Sequence, residues 1–232
     1  MLKAGEVQSD KYDGYVEALL PPLTLVEVIS AEVLTLCLII FFSVNMWNLW
    51  RFRGERRAKR CYAEHPPPRG LPSWAAAFGT LAFWGETLFY IVLVFSGCIR
   101  WVNATPLRFR FLCDFAFRWL GLFLMVLGFV LFGWSVLARG RYAVSWEMPE
   151  DQRLVTWGPY RFVRHPSYLS YFLMFVGLFL LWLNLLAVIP LLAIPGYVHV
   201  AKEEEKLLIK RFGEEYAQYQ RKTGRFLPKL RK

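Results

Sequence analysis

Four long apolar stretches alternate with short polar segments along the chain, and their lengths decide how often it crosses a membrane. The first three cover roughly residues 25–50, 76–100 and 117–138, each enough for one helix across a bilayer core about 30 Å thick. The fourth runs uncharged from Tyr168 to Ala201 and is too long for one crossing yet slightly short for two. Trp182-Leu-Asn184 places a turn near its middle, and Pro190 and Pro195 weaken its second half as a straight helix. The pattern therefore predicts a tight helical hairpin with short or tilted arms. From about Val198 to Tyr219 it predicts a helix that leaves the membrane and becomes amphipathic. Leu208, Phe212, Tyr216 and Tyr219 follow one another there at spacings of four, four and three. The predicted fold is all-α: a polytopic membrane protein with about five transmembrane helices and an amphipathic C-terminal helix. It divides into 1–138, with the N-terminal segment and three spans, and 139–232, with a loop, the hairpin and the C-terminal helix.

Charge sets the orientation. Lys and Arg accumulate in cytoplasmic loops, and here 51–70, 139–167 and 202–232 carry 22 of the 28 basic residues. Five crossings put those three segments on one side, so the N-terminus is expected outside and the C-terminus in the cytoplasm. The first apolar segment is too long for a signal peptide and lacks a basic region before it, so it is expected to be retained. Composition fits this class, with 56% hydrophobic and 18% aromatic residues. The net charge of +10 flanks apolar spans instead of clustering on a soluble module. It points to anionic lipid headgroups as partners and away from nucleic acid. Cys37, Cys61, Cys98 and Cys113 form no C-x-x-C pair, so neither a disulfide framework nor a metal site is expected.

Polar residues inside the spans narrow the packing. Glu27 and Glu32, at the start of the first span, are expected at the outer interface. Glu86 interrupts the second span, where it serves either an interhelical hydrogen bond or a polar cavity. Gly121, Gly128 and Gly133 permit close helix approach.

The loop after the third span begins Arg139-Gly-Arg-Tyr142 and ends Arg164-His165-Pro166. Pro149, Gly158, Pro159 and Pro166 make it an irregular segment with backbone groups free to bind a ligand. The proline after His165 holds that residue extended just before the fourth helix begins near Ser167. It is either part of an anion site beside the helix N-terminus or a device for starting the helix. Glu204 lies four residues before Leu208 and continues the apolar stripe, which points it toward the protein, whereas Glu203 falls on the solvated face. A hairpin that crosses twice returns the loop and Glu204 to one side of the membrane, where they share a site.

Leu154-Val155-Thr-x-Gly-x-Tyr160-x-x-x-Arg164-His165-Pro166-Ser167-Tyr168, followed after the hairpin by Glu204-Glu205 and Phe212-Gly-Glu-Glu-Tyr216-x-x-Tyr219, resembles the isoprenylcysteine carboxyl methyltransferases. The resemblance covers about 139–229 and extends to the ending Lys222-Thr-Gly-Arg225-Phe-Leu-Pro228. It implies an integral membrane enzyme that binds S-adenosylmethionine at the cytoplasmic face between the loop and the C-terminal helix. Carried over by motif, the cofactor contacts fall on Gln152, Arg153, Leu154, Val155, Tyr160, His165, Pro166, Ser167, Tyr168 and Glu204. Position 152 is Gln where relatives often have His. Four residues before Glu204 the family commonly has an arginine for the substrate carboxylate, and this chain has Val200. Valine cannot replace a guanidinium fork, so either Arg164 or Arg225 substitutes or the acceptor is not a prenylcysteine carboxylate. Glu205 is expected to act as the base if the acceptor must lose a proton.

The expected activity is methyl transfer from S-adenosylmethionine to a lipophilic acceptor entering from the bilayer, either a prenylcysteine-like carboxylate, a lipid amine or a thiol. Two alternatives stand beside it. Membrane sterol reductases resemble this family in their C-terminal half but use NADPH, and a non-catalytic scaffold could retain the fold.

Overall fold

The computed structural model describes residues 22–54, 70–142 and 152–229. Among these the chain is helical, with only isolated bridges in place of strands. The helices are α1 (Leu25–Arg51), α2 (Leu71–Phe95), the short α3 (Ile99–Ala104), α4 (Asp114–Arg139), α5 (Pro166–Trp182), α6 (Ala193–Phe212) and α7 (Glu214–Lys222). Three 3₁₀ turns join them, at Gly140–Tyr142, Gly158–Arg161 and Leu186–Leu192. Four segments are long and apolar enough to cross a membrane: Leu25–Arg51, Leu71–Phe95, Asp114–Tyr142 and Leu186–Phe212. The 17-residue α5 is the short arm of the expected hairpin. At 1.5 Å per residue it spans about 25 Å, so five apolar helical segments stand where five were expected.

The hairpin turns where the sequence places it. Leu183 adopts the left-handed conformation (φ 50°) that ends α5, and Asn184 accepts a hydrogen bond from the Leu186 N–H at 3.0 Å through its side chain. The second arm starts as a 3₁₀ turn containing Pro190, which has no N–H to continue an α-helical ladder. Residues 107–109 pair with this turn: Phe109 N–H donates to Leu183 O (2.8 Å) and Leu185 N–H to Leu107 O (2.9 Å).

Small residues bring α4 and α5 together. A Cβ at Gly121 would lie 2.6 Å from the Gly177 carbonyl oxygen, and one at Gly128 would lie 2.8 Å from the Ser170 oxygen. Neither position has room for a side chain, which is the close approach available to helices in lipid. Gly133 differs from expectation, because nothing lies within 4 Å of its Cβ position and it makes no such contact. One apolar core runs through both halves of the chain, from Leu34 and Phe83 through Met125 to Met174 and Leu178.

Glu27, in the first turn of α1, faces the protein interior. It is 1% exposed, and its Oε1 accepts from Arg118 Nη2 (2.9 Å) and Asn103 Nδ2 (2.7 Å), while its Oε2 accepts from the Thr24 N–H (2.7 Å) in a capping box. Arg118, on α4, compensates the buried carboxylate. Glu32 is exposed as expected. Glu86 is half-buried, and its Oε2 has no partner among the described residues.

The expected continuous helix over 198–219 is two helices. Gly213 (φ 53°, ψ −125°) occupies a conformation that strains any side-chain-bearing residue and separates α6 from α7. The break folds α7 back over the loop, so that Tyr219 OH donates to the Tyr160 carbonyl at 2.5 Å. The chain after α7 pairs with the same loop, with Arg164 N–H bonded to Gly224 O (2.9 Å) and His165 N–H to Arg225 O (3.0 Å).

Candidate functional site

The end of α4, the loop from 152 to 165, the start of α5 and the stripe of α6 and α7 close around an open cavity of about 120 Å³. Its construction begins at α4. Arg139 is the last residue of that helix, and Trp157 Nε1 donates to the preceding Ala138 carbonyl at 2.9 Å. Gly158 (φ 60°) lets the loop turn against Ala138, where an added Cβ would lie 2.9 Å from the Ala138 Cβ. That contact sets Tyr160 beneath Arg139, whose guanidinium carbon lies 6.0 Å from the ring centroid.

His165 precedes Pro166, the first residue of α5, so the proline both extends His165 and starts the helix. Its ring lies parallel to that of Tyr168, with centroids 5.4 Å apart. Two carboxylates flank it: Nδ1 is 3.5 Å from Glu204 Oε2, and Nε2 is 3.3 Å from Glu205 Oε1. Tyr168 OH donates to Glu204 Oε1 at 2.7 Å, which fixes that carboxylate at the cavity wall. The Tyr160 and Ser167 hydroxyls lie 3.3 Å apart. Burial pushes the Tyr160, Tyr216 and Tyr219 phenols above their ordinary range, so all three are neutral hydroxyl groups.

Nine of the ten residues expected around the cofactor line this cavity: Gln152, Arg153, Leu154, Val155, Tyr160, His165, Ser167, Tyr168 and Glu204. Pro166 is buried behind them at the helix start. Arg139, Tyr142, Arg164, Leu207, Leu208, Phe212, Tyr216 and Tyr219 complete the lining. The four on the aromatic stripe carry a sequence signal, because Glu204 continues their face. Arg139 carries little, since a basic residue in the last turn of an apolar helix reads first as an anchor at the membrane surface.

The two residues expected to be catalytic, Glu205 and Arg164, are engaged within the protein. Glu205 is 4% exposed and does not line the cavity. Its Oε1 accepts from Arg164 Nε (2.9 Å) and Arg225 Nε (3.1 Å), and its Oε2 accepts from Arg225 Nη2 (2.6 Å) and Gln220 Nε2 (3.3 Å). A carboxylate held by two guanidinium groups is a poor proton acceptor and has no lone pair directed at a ligand. Arg164 reaches the cavity wall but spends Nε on Glu205 and Nη1 on the Gln220 and Thr223 carbonyls. It ties the loop to the C-terminal tail. Arg225 is likewise committed to Glu205, so neither guanidinium replaces the arginine absent at Val200, which is itself buried at 7% exposure.

Four buried polar atoms of the lining residues have no hydrogen-bond partner among the described residues: Arg139 Nε, Gln152 Oε1, His165 Nε2, which faces Glu205, and Tyr216 OH. Buried polar atoms are ordinarily paired, so a cavity that collects several is suited to a polar ligand. With Glu204 and Arg139 it presents both signs of charge, and with Tyr168 and Phe212 it presents aromatic surface.

Residues 116–215 match the phospholipid methyltransferase family model. The chain is 32% identical over 115 residues to a protein-S-isoprenylcysteine O-methyltransferase of Tribolium castaneum, which covers 47% of this chain and 41% of that protein. It is 35% identical over 89 residues to the Saccharomyces cerevisiae protein of the same name, which covers 38% and 37%. These matches span about two-fifths of each relative's length. The solved structure of a eukaryotic intramembrane Ras methyltransferase, an isoprenylcysteine carboxyl methyltransferase, aligns with 69% of this chain and 54% of its own at 27% identity and a TM-score of 0.43.

Proposed function

We propose that this chain, whose C-terminal half is similar to the isoprenylcysteine methyltransferases, transfers a methyl group from S-adenosylmethionine to a lipophilic acceptor drawn from the bilayer. The observation that carries this reading is the cavity beside Glu204, in which Arg139 Nε, Gln152 Oε1 and Tyr216 OH are buried without hydrogen-bond partners among the described residues. A nucleoside joined to an amino acid has a matching set of groups: a ribose diol, ring nitrogens, an ammonium and a carboxylate. When bound, S-adenosylmethionine supplies an electrophilic methyl carbon.

The residues of the chain bind and orient. Glu204, held in place by the Tyr168 hydroxyl, can accept two hydrogen bonds from a diol or one from an ammonium. Gln152 and Tyr216 offer the neutral donors and acceptors suited to a purine edge. The His165 and Tyr168 rings provide flat apolar surface with polar tips. Leu207, Leu208 and Phe212 form an apolar wall that keeps water from the reacting atoms. The acceptor class we propose is the prenylcysteine type named for the curated relatives, with a lipid amine or thiol as the alternative. The basic loops support a cytoplasmic face for this site.

Calorimetry of the detergent-solubilised protein with S-adenosylhomocysteine and with NADPH tests the cofactor. Binding of the first and not the second is expected, and the reverse would favour the reductase alternative. Transfer of labelled methyl to N-acetyl-S-farnesylcysteine, an aminolipid and a lipid thiol then identifies the acceptor class.

A further inference from the structure

Three arginines line the cavity, and they differ in what already holds them. Arg164 is engaged by Glu205 and two backbone carbonyls. Arg153 is exposed. Arg139 is half-buried at the end of α4, and its Nε is buried without a partner. Among the described residues its guanidinium faces the ring of Tyr160, and its charge also acts on Glu204 across the cavity. Leaving a charged donor desolvated and unpaired is costly unless a ligand completes it.

Resting on the methyl-transfer reading above, we infer that Arg139 is the carboxylate receptor of this cavity. The planar guanidinium offers a fork that suits a carboxylate. Glu204 lies in the same lining and feels the Arg139 charge without a contact ion pair among the described residues, so the site presents one cation and one anion to a ligand of both charges. The amino-acid end of the cofactor has that character, and so does the carboxylate of a prenylcysteine acceptor in half. Both offer the same chemistry to Arg139, and among the described residues no other buried guanidinium of the lining is left unengaged.

The test uses the full chain in detergent, the variants Arg139→Gln and Arg139→Lys, and three probes read by calorimetry. S-adenosylhomocysteine has the amino-acid carboxylate, 5′-methylthioadenosine lacks it, and N-acetyl-S-farnesylcysteine has the acceptor carboxylate. If Arg139 takes the cofactor carboxylate, Arg139→Gln weakens S-adenosylhomocysteine by about 10- to 100-fold and leaves methylthioadenosine unchanged, with Arg139→Lys in between. If it takes the acceptor carboxylate, both nucleosides bind as in the parent and only the farnesylcysteine weakens by that factor. Equal weakening of both nucleosides marks a structural role and overturns the inference, as do parent-like affinities for all three probes. Should Arg139→Gln fail to fold, Arg139→Lys is read by the same split. A parent that binds neither nucleoside overturns the methyl-transfer reading and this inference with it, whereas a parent that binds and variants that match it overturn this inference alone.

Discussion

Arg225 grips Glu205 through two nitrogens, Nε at 3.1 Å from Oε1 and Nη2 at 2.6 Å from Oε2, and so fastens the C-terminal tail to α6. Arg164 holds the same carboxylate from the loop side. The loop that carries His165 and the helix that carries Glu204 are thus joined through the residue next to Glu204. The cavity depends on this cluster without being lined by its carboxylate.

Replacing Glu205 with Gln removes the anion between two guanidinium groups. Breaking a buried pair costs about 3–5 kcal/mol, and the partial exposure of Arg225 places the loss at the lower end. A lower thermal unfolding midpoint in detergent is expected, together with weaker S-adenosylhomocysteine binding. A variant that melts like the parent and binds the nucleoside normally, yet has lost methyl transfer, would restore Glu205 as a base.

Glu204→Ala should weaken S-adenosylhomocysteine by about 1.5–3 kcal/mol, the range for a hydrogen bond to a charged group. Thermal stability should change much less than in Glu205→Gln. Glu203, which only pairs with Lys206 at the surface (2.8 Å), should tolerate Ala with no measurable effect on binding. Calorimetry on the three proteins side by side checks the order, and a Glu204→Ala protein with parental affinity would remove that residue from the site.

Gly121→Ala and Gly133→Ala should separate cleanly. The first forces a methyl group into the Gly177 backbone, and overpacking of this kind costs about 1–3 kcal/mol. The second adds a methyl group to open space. Unfolding midpoints in the same detergent should fall for Gly121→Ala alone, and equal midpoints would argue that α4 and α5 lie farther apart.

A reporter fused after Lys232 should be cytoplasmic, and a tag at Met1 should lie outside. The expectation rests on 22 of 28 basic residues falling in the segments 51–70, 139–167 and 202–232. Labelling of intact cells with an impermeant reagent reports each end, and an exposed C-terminus would reverse the orientation of the site.

Much of this protein was legible in its sequence because the bilayer imposes lengths and signs that no packing detail alters. The apolar stretches are as long as a crossing requires, the hairpin turns at Leu183 and Asn184 as a polar break in an apolar run demands, and Glu204 lies on the face set by 3.6-residue periodicity. Those properties are local, so spacing along the chain determines them. The partners of charged side chains are not local. Glu27 meets Arg118 from 91 residues away, and Glu205 meets Arg164 from 41 residues away. Periodicity gives a charged residue a face but not a counter-ion, which is why Glu27 read as interfacial and Glu205 as a base. Gly213 could have continued a helix or ended one, and the packing of Tyr216 and Tyr219 against the loop decided for an end. Arg139 was only the first residue of the loop in sequence, and the fold of that loop set Tyr160 beneath it and left its Nε in the cavity without a partner among the described residues. Tertiary structure alone decides which buried charges neutralise one another and which remain for a ligand, because desolvation depends on everything that surrounds a group and not on its neighbours in sequence.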